Sequence, residues 1–355
     1  MRKSLLGLLL ATGIFMGCQD ETTDISNDQQ SKIDMSDFFV HTDDLEAKGP
    51  SDKDGKECYS MQVLNRQLAE NKGLYKKMYD IEYATRSFIA GKKPSGAGNG
   101  NGNGGGGNDG GGDPPVSDNL GVVNIPVYVH VVYSNSNENI SDAQINSQIA
   151  VLNADFRRTN SDASNTPSAF ASVAADSEIT FTLAGTFRNA STTTAWGTNN
   201  AVKSAYPPVT PSTHMNIWVA NIGGGILGYA QFPGGSSATD GIVVSPQYFG
   251  TTGYVAAPFN GGRTTTHEVG HYLNLRHIWG DGRCNRDDFV SDTPSSDRPN
   301  YGCPTTAYHC RSNDQFMNYM DYTDDSCMNM FSEGQKERMR ALFASGGGRA
   351  AIAGN

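Results

Sequence analysis

Three of the chain's seven histidines fall within the run HEVGHYLNLRH at 267–277. His267 and His271 are four apart, so on a helix they lie one turn apart on the same face. Two imidazoles so placed can share one Zn²⁺ at about 2.0–2.1 Å. Glu268 sits beside the first of them, offset around the helix, where its carboxylate can reach a water at the metal. His277 comes six residues after His271 and can turn back onto the same metal only if the helix ends between them. Asn274 is the candidate ending, because after Gly it is the residue that best tolerates the left-handed conformation past a helix C-terminus. Three neutral imidazoles leave a fourth tetrahedral position for water, the arrangement of a catalytic zinc site. The alternative, a noncatalytic zinc-containing surface binding module, has no use for Glu268.

Such a helix needs a frame. VVNIPVYVHVVY at 122–133 reads as a strand, rich in β-branched residues. SDAQINSQIAVLNADF at 141–156 reads as a helix: Ser141 with Gln144 three later is a capping box, and Ile145, Ile149 and Leu152 form its apolar face. Further strands are expected at EITFTLAG, MNIWVAN, LGYAQF and GIVVSP. Residues 119–355 thus form one folded domain, long enough for a sizeable core.

The remainder of the 355 residues is organised differently. Arg2 and Lys3 precede an apolar run, Leu5 to Phe15, that is too short for the roughly 20 residues of a membrane span. Residues 1–17 read as a secretory signal peptide. Phe15-Met16-Gly17-Cys18 resembles a bacterial lipobox, which would make Cys18 the lipidated first residue; plain cleavage and secretion is the other reading. Residues 18–94 are a tether and a prosegment. The stretch 19–50 is polar, acidic and expected to be poorly ordered. Met61, Leu64 and Leu68, then Leu74, Met78, Ile81 and Phe88, predict one or two amphipathic helices. Residues 95–118 are a linker whose run SGAGNGNGNGGGGNDGGGD cannot bury a core. A net charge of −10 without a Lys/Arg block excludes nucleic acid as a partner. A hydrophobic content of 37% excludes a polytopic membrane protein. Any membrane contact would run through the N-terminal anchor alone, and the chain is expected to be a monomer.

HEVGHYLNLRH resembles the metzincin motif His-Glu-x-x-His-x-x-Gly-x-x-His, with Asn274 in place of Gly. FMNYMDYTDD resembles the metzincin Met-turn, with Met320 beneath the metal. More closely, the sequence from VVNIPVYVHVVY through ISDAQINSQIAVLNADFRR to CMNMFSEGQKERM resembles the pappalysin family, on its bacterial cytophagalysin and ulilysin side. That resemblance implies an α+β, two-lobed zinc-peptidase domain behind a small helical prosegment. A twisted mixed sheet, a backing helix and the active-site helix would form the upper lobe, with an irregular lower lobe. It also implies hydrolysis of protein or peptide substrates. Glu268 would move the proton, and Tyr322 would donate to the developing oxyanion. Asp325 would sit at the base of the pocket for the residue after the cut, favouring Arg or Lys.

Six cysteines are present: 18, 58, 284, 303, 310 and 327. The last four allow three pairings in an oxidising compartment. The resemblance implies Cys284–Cys310 and Cys303–Cys327. If Cys18 carries lipid, Cys58 lacks a partner, and a thiolate is a good zinc ligand. CYSMQVLNRQL resembles the family's prosegment around its switch cysteine, so Cys58 is expected on the zinc of a latent form. Cuts at Arg86, Lys92 or Lys93 would fit self-processing. Asp287, Asp288, Asp292 and Thr293 in RDDFVSDTP form an oxygen-rich loop suited to Ca²⁺, and relatives in the family carry calcium in this neighbourhood.

Overall fold

The computed structural model describes residues 33–41, 58–92 and 118–354. The leader at 1–17, Cys18, Lys93 and nearly all of the Gly-rich linker lie outside the described residues.

Strand β1 (Val123–Tyr133) is the backbone of the domain. Val123, Ile125, Val127, Val129 and Val131 alternate onto one face and are all buried. β1 pairs in parallel with β2 (Ile179–Ala190) on one side and β3 (Met215–Ala220) on the other. Helix α3 (Asp142–Phe156) supplies the crossover that a parallel β1–β2 pair requires. A short helix, α4 (Ala201–Ala205), precedes β3. Strand β4 (Gly228–Ala230) and strand β5 (Ile242–Val244) complete the sheet in the order β2-β1-β3-β5-β4. β5 runs parallel to β3, and β4 is the antiparallel edge. The strands fall within the runs read from sequence, except that β2 continues past Gly185 to Ala190.

Ile145, Leu152 and Phe156 of α3 pack on Ile125, Val127 and Ile217 in the main core. Val132, Trp218, Tyr229 and Val243 face the other way and pack with Val202 of α4. The capping box expected on α3 is only half formed. Ser141 accepts the Gln144 amide at 3.2 Å. The Gln144 side chain turns away instead, donating to the carbonyls of Pro246 and Phe249 and accepting the Tyr254 amide. A buried loop with unmet backbone groups outcompetes a local cap that water could replace.

Helix α5 (Arg263–Tyr272) carries the histidine motif and packs against α3, β4 and β5. Below it the chain is irregular, with one two-residue hairpin, β6 (Tyr308–His309) and β7 (Ser312–Asn313). Disulfides Cys284–Cys310 and Cys303–Cys327 interleave through this stretch. Helix α6 (Glu333–Ala341) follows, with a complete capping box between Ser332 and Gln335.

Two further helices, α1 (Ser60–Glu70) and α2 (Leu74–Gly91), lie N-terminal to the sheet. Met61, Leu64, Leu68, Leu74 and Met78 form a small core with Phe232 of the domain. On α2 the buried stripe continues through Glu82 and Thr85, with Ile81 and Phe88 only partly covered. Glu82 is buried because it meets Arg338 of α6 at 2.7 Å and Arg86 at 2.8 Å. The expectation of a poorly ordered 19–50 fails for residues 33–41. Val40 is buried in the small core, and the Phe38 and Phe39 rings pack on Phe289. Arg276 lies 4.3 Å over the Phe39 ring. Three consecutive apolar residues bury enough area to dock within an acidic surrounding.

Candidate metal centre and cleft

Helix α5 holds His267 and His271 on one face and ends in a turn that sends His277 back toward them. Asn274 has φ +71°. Its amide donates to the His271 carbonyl at 3.0 Å, and the Leu275 amide donates to the Gly270 carbonyl at 2.9 Å. This is the paired hydrogen bonding of a Schellman ending, with Asn where Gly is usual.

Each imidazole is held through Nδ1. That of His267 donates to the Tyr319 carbonyl at 2.7 Å, and that of His271 to the Leu275 carbonyl at 2.8 Å. That of His277 meets the carboxylate of Asp281. Carbonyls only accept, so the protons of His267 and His271 sit on Nδ1 and their Nε2 lone pairs are free. His271 Nε2 lies 3.1 Å from both His267 Nε2 and His277 Nε2. Lone pairs this close repel unless a cation lies among them. Zn–N bonds of 2.0–2.1 Å at tetrahedral angles would separate the nitrogens by about 3.3 Å. The donor set therefore fits zinc. The Cys58 sulfur completes the cluster, all four ligand atoms lying within 4.8 Å of one another.

Met320 is fully buried, with its sulfur against Gly270 of helix α5. A Cβ added at Gly270, inside the motif, would lie 2.3 Å from Met320 Sδ. The sulfur occupies the space that any other residue at 270 would fill. Burial pushes Glu268 up to about 7, against the pull of Ser60. Burial, then Glu268, pushes the Cys58 thiol up as well.

The N-terminal arm lies across the site. Cys58 bridges Gly228 on β4 in parallel fashion, and the Tyr59 amide donates to the Gly228 carbonyl at 3.0 Å. The Ser60 hydroxyl donates to Glu268 Oε2 at 2.7 Å and accepts the Ala230 amide at 2.7 Å. The Tyr322 hydroxyl donates to the Cys58 carbonyl at 3.4 Å, and its ring lies 4.9 Å from that of His277. Beside the metal cluster is a cavity lined by Leu227, Phe259, Thr264, Glu268, Tyr322 and Asp325. Asp325 Oδ2 accepts the amides of Gly261 and Arg263.

The remaining candidates are arranged less simply. Asp288 is buried and accepts the Thr293 hydroxyl at 2.8 Å and the Val290 amide at 3.0 Å. Asp287 accepts the Phe289 amide. Asp292 is turned to the start of α6, where it accepts the Ser332 hydroxyl and the Gly334 amide. Ser60, Gly270 and Asp281 were not singled out from sequence. Gly270 occupies a variable position of the motif. Only the four-residue spacing from His277 to Asp281 marked the latter.

A family model described as pregnancy-associated plasma protein-A matches residues 202–344. An extracellular metalloprotease of Pyricularia oryzae is 34% identical over 234 residues, covering 62% of this chain and 75% of the relative. One of Arthroderma gypseum is 34% identical over 231 residues, covering 62% and 72%. The chain belongs to the pappalysin family. Among solved structures, mature mirolysin of Tannerella forsythia in complex with a cleaved peptide is 45% identical, with a TM-score of 0.63. That match covers 65% of this chain and 95% of mirolysin. A promirolysin mutant from the same organism is 37% identical with a TM-score of 0.69, covering 83% and 96%. This pappalysin is thus a metalloendopeptidase of metzincin fold, and its N-terminal helices are a prosegment.

Proposed function

We propose that this chain is an exported zinc endopeptidase made as a latent precursor, cleaving before Arg or Lys. The observation that carries the metal assignment is the convergence of three Nε2 atoms with Nδ1 anchored, next to a buried glutamate. His267, His271 and His277 would hold zinc, whose Lewis acidity polarises the scissile carbonyl and acidifies a water in the cleft. Glu268 takes the proton from the attacking water on its carboxylate and passes it to the leaving amine. The Tyr322 hydroxyl, freed from the Cys58 carbonyl, donates to the oxygen that gains charge. Peptide hydrolysis is also the reading favoured by the cleaved peptide in mature mirolysin.

Latency is carried by the arm. Cys58 takes the fourth position of the metal cluster, and Ser60 occupies the proton acceptor. Asp325 at the cavity wall favours a guanidinium or ammonium on the residue after the cut. Cuts at Arg86 or Lys92 would then be self-processing.

Export follows from the leader at 1–17 and from relatives named extracellular. Lipidation at Cys18 and a monomeric state complete the reading. Calcium belongs at Asp287, Asp288 and Thr293, where Asp288 is raised well above the usual carboxylate range by burial and then by Asp287. A divalent cation would relieve the repulsion between buried Asp288 and exposed Asp287. Asp292 already serves α6 and would have to turn to join it.

The test is incubation of purified protein with a peptide library, with and without chelator. Cuts before Arg or Lys that vanish with chelator and in Glu268→Ala are expected. Full turnover in Glu268→Ala would overturn the mechanism, and cuts before apolar residues would overturn the specificity.

A further inference from the structure

His267 and His271 are placed by a helix, but His277 is not. It lies beyond the left-handed Asn274, where backbone alone does not fix a ring. The sequence that follows, Ile278-Trp279-Gly280-Asp281, folds back on it. The Gly280 amide donates to the His277 carbonyl at 2.9 Å. Gly280 has φ +62°, and a Cβ there would lie 2.7 Å from the Asp287 backbone nitrogen, so only glycine fits. Asp281 follows at φ +55°, a left-handed conformation that costs a non-glycine residue energy and persists where the surroundings hold it. The result is a carboxylate oxygen on His277 Nδ1, with both side chains buried. The Trp279 ring stacks on the imidazole at 4.3 Å and 3°.

The other two ligands are held by neutral backbone carbonyls. The third is held by an anion. The second oxygen of Asp281 is buried without a hydrogen-bond partner. A buried carboxylate left so is costly unless positive charge lies close by. Arg276 lies near enough to interact with it, and a cation on the opposite nitrogen of the ring it grips would add to that compensation.

We propose that Asp281 is a positioning residue for the metal: it orients the His277 ring, fixes its tautomer with Nδ1 toward the carboxylate, and strengthens Nε2 as a donor. A carboxylate behind a metal-binding imidazole does this generally. The proposal rests on the three-histidine zinc reading and adds to it a residue outside the zinc motif.

The test compares the full-length chain with Asp281→Asn and Asp281→Ala. Zinc dissociation is measured by competition with a chromophoric chelator, the Co²⁺-substituted forms are compared by visible absorption, and the unfolding midpoint is taken without metal. Asp281→Ala is expected to weaken zinc by about tenfold to a hundredfold and to shift the cobalt bands. Asp281→Asn, which keeps an acceptor oxygen, should fall between it and the parent. The metal-free midpoint of Asp281→Asn should match the parent's, because its amide oxygen can keep the His277 Nδ1 bond while the oxygen without a partner gives up its charge. Zinc held within twofold of the parent with unchanged cobalt bands would overturn the proposal. So would a loss of zinc in Asp281→Asn matched by a fall in its metal-free midpoint, the mark of a purely structural role. A parent that takes up no zinc would instead overturn the three-histidine reading, a result separable from both.

Discussion

Ser60 Oγ stands 2.7 Å from Glu268 Oε2 across 208 residues of sequence, and the same oxygen receives the Ala230 amide at 2.7 Å. One hydroxyl therefore joins the prosegment to the buried Glu268 carboxylate and to the edge strand of the sheet. The proposed latency would then have two contacts, one at the metal cluster and one at the carboxylate. Ser60→Ala removes a bond worth about 1–2 kcal/mol. The uncut precursor should gain roughly tenfold in basal peptidase activity, and Ser60→Ala with Cys58→Ala should exceed either alone. Measured rates for the uncut single variants equal to the parent would remove the second contact from the account.

The prosegment is also anchored far from the metal. Burial disfavours ionised Glu82, but Arg338 and Arg86 outweigh it and hold the carboxyl near 2, against about 4.5 when free. A depressed carboxylate stabilises docking above its free value and loses that contribution as pH falls through the docked one. The contribution is about 3 kcal/mol. Nicked prosegment should therefore stay bound at pH 6 and be released progressively between about pH 4.5 and 2. In Glu82→Gln that window should flatten, with weaker binding at pH 6 because Arg338 is left buried without its anion. Size-exclusion of nicked material across pH reads both effects.

Specificity should follow Asp325. Asp325→Asn keeps an acceptor for the Gly261 and Arg263 amides and removes the charge. Turnover of substrates with Arg after the cut should fall by roughly 10- to 100-fold, the loss of a charge-assisted bond. Substrates with an apolar residue there should change little. A profile unchanged by the substitution would place the preference elsewhere.

Gly270→Ala drives a methyl into Met320, where the gap to Sδ is 2.3 Å. Overpacking of this kind costs about 1–3 kcal/mol. Met320→Ala alone opens a cavity and is destabilising for the opposite reason. The double variant should be more stable than the sum of the two losses predicts. Denaturant midpoints of the four proteins close that cycle, and strict additivity would mean the two residues do not meet.

What could be read from sequence was what repeats locally. β1, β3 and β5 announced themselves because central parallel strands are apolar on both faces. The convergence of the three histidines was legible because helical spacing sets two rings side by side and Asn274 turns the chain back toward them. The Gln144 side chain was misassigned because its true partners, Pro246, Phe249 and Tyr254, are about a hundred residues away. Ser60 and the Glu82–Arg338 pair escaped for the same reason. Asp281 escaped although His277 is only four residues away, because the two meet through a left-handed turn and not along a helix. Each is an ordinary polar residue until the fold places its partner. Phe38, Phe39 and Val40 were hidden by the acidic residues around them.

The two interleaved bridges, 284 to 310 and 303 to 327, share no loop boundary. A single backbone break anywhere from Cys284 to Cys327 is spanned by at least one of them. Met320, Tyr322 and Asp325 all lie inside that interval. A peptidase that meets copies of itself can thus be nicked once beneath its own cleft and still keep both fragments covalently joined.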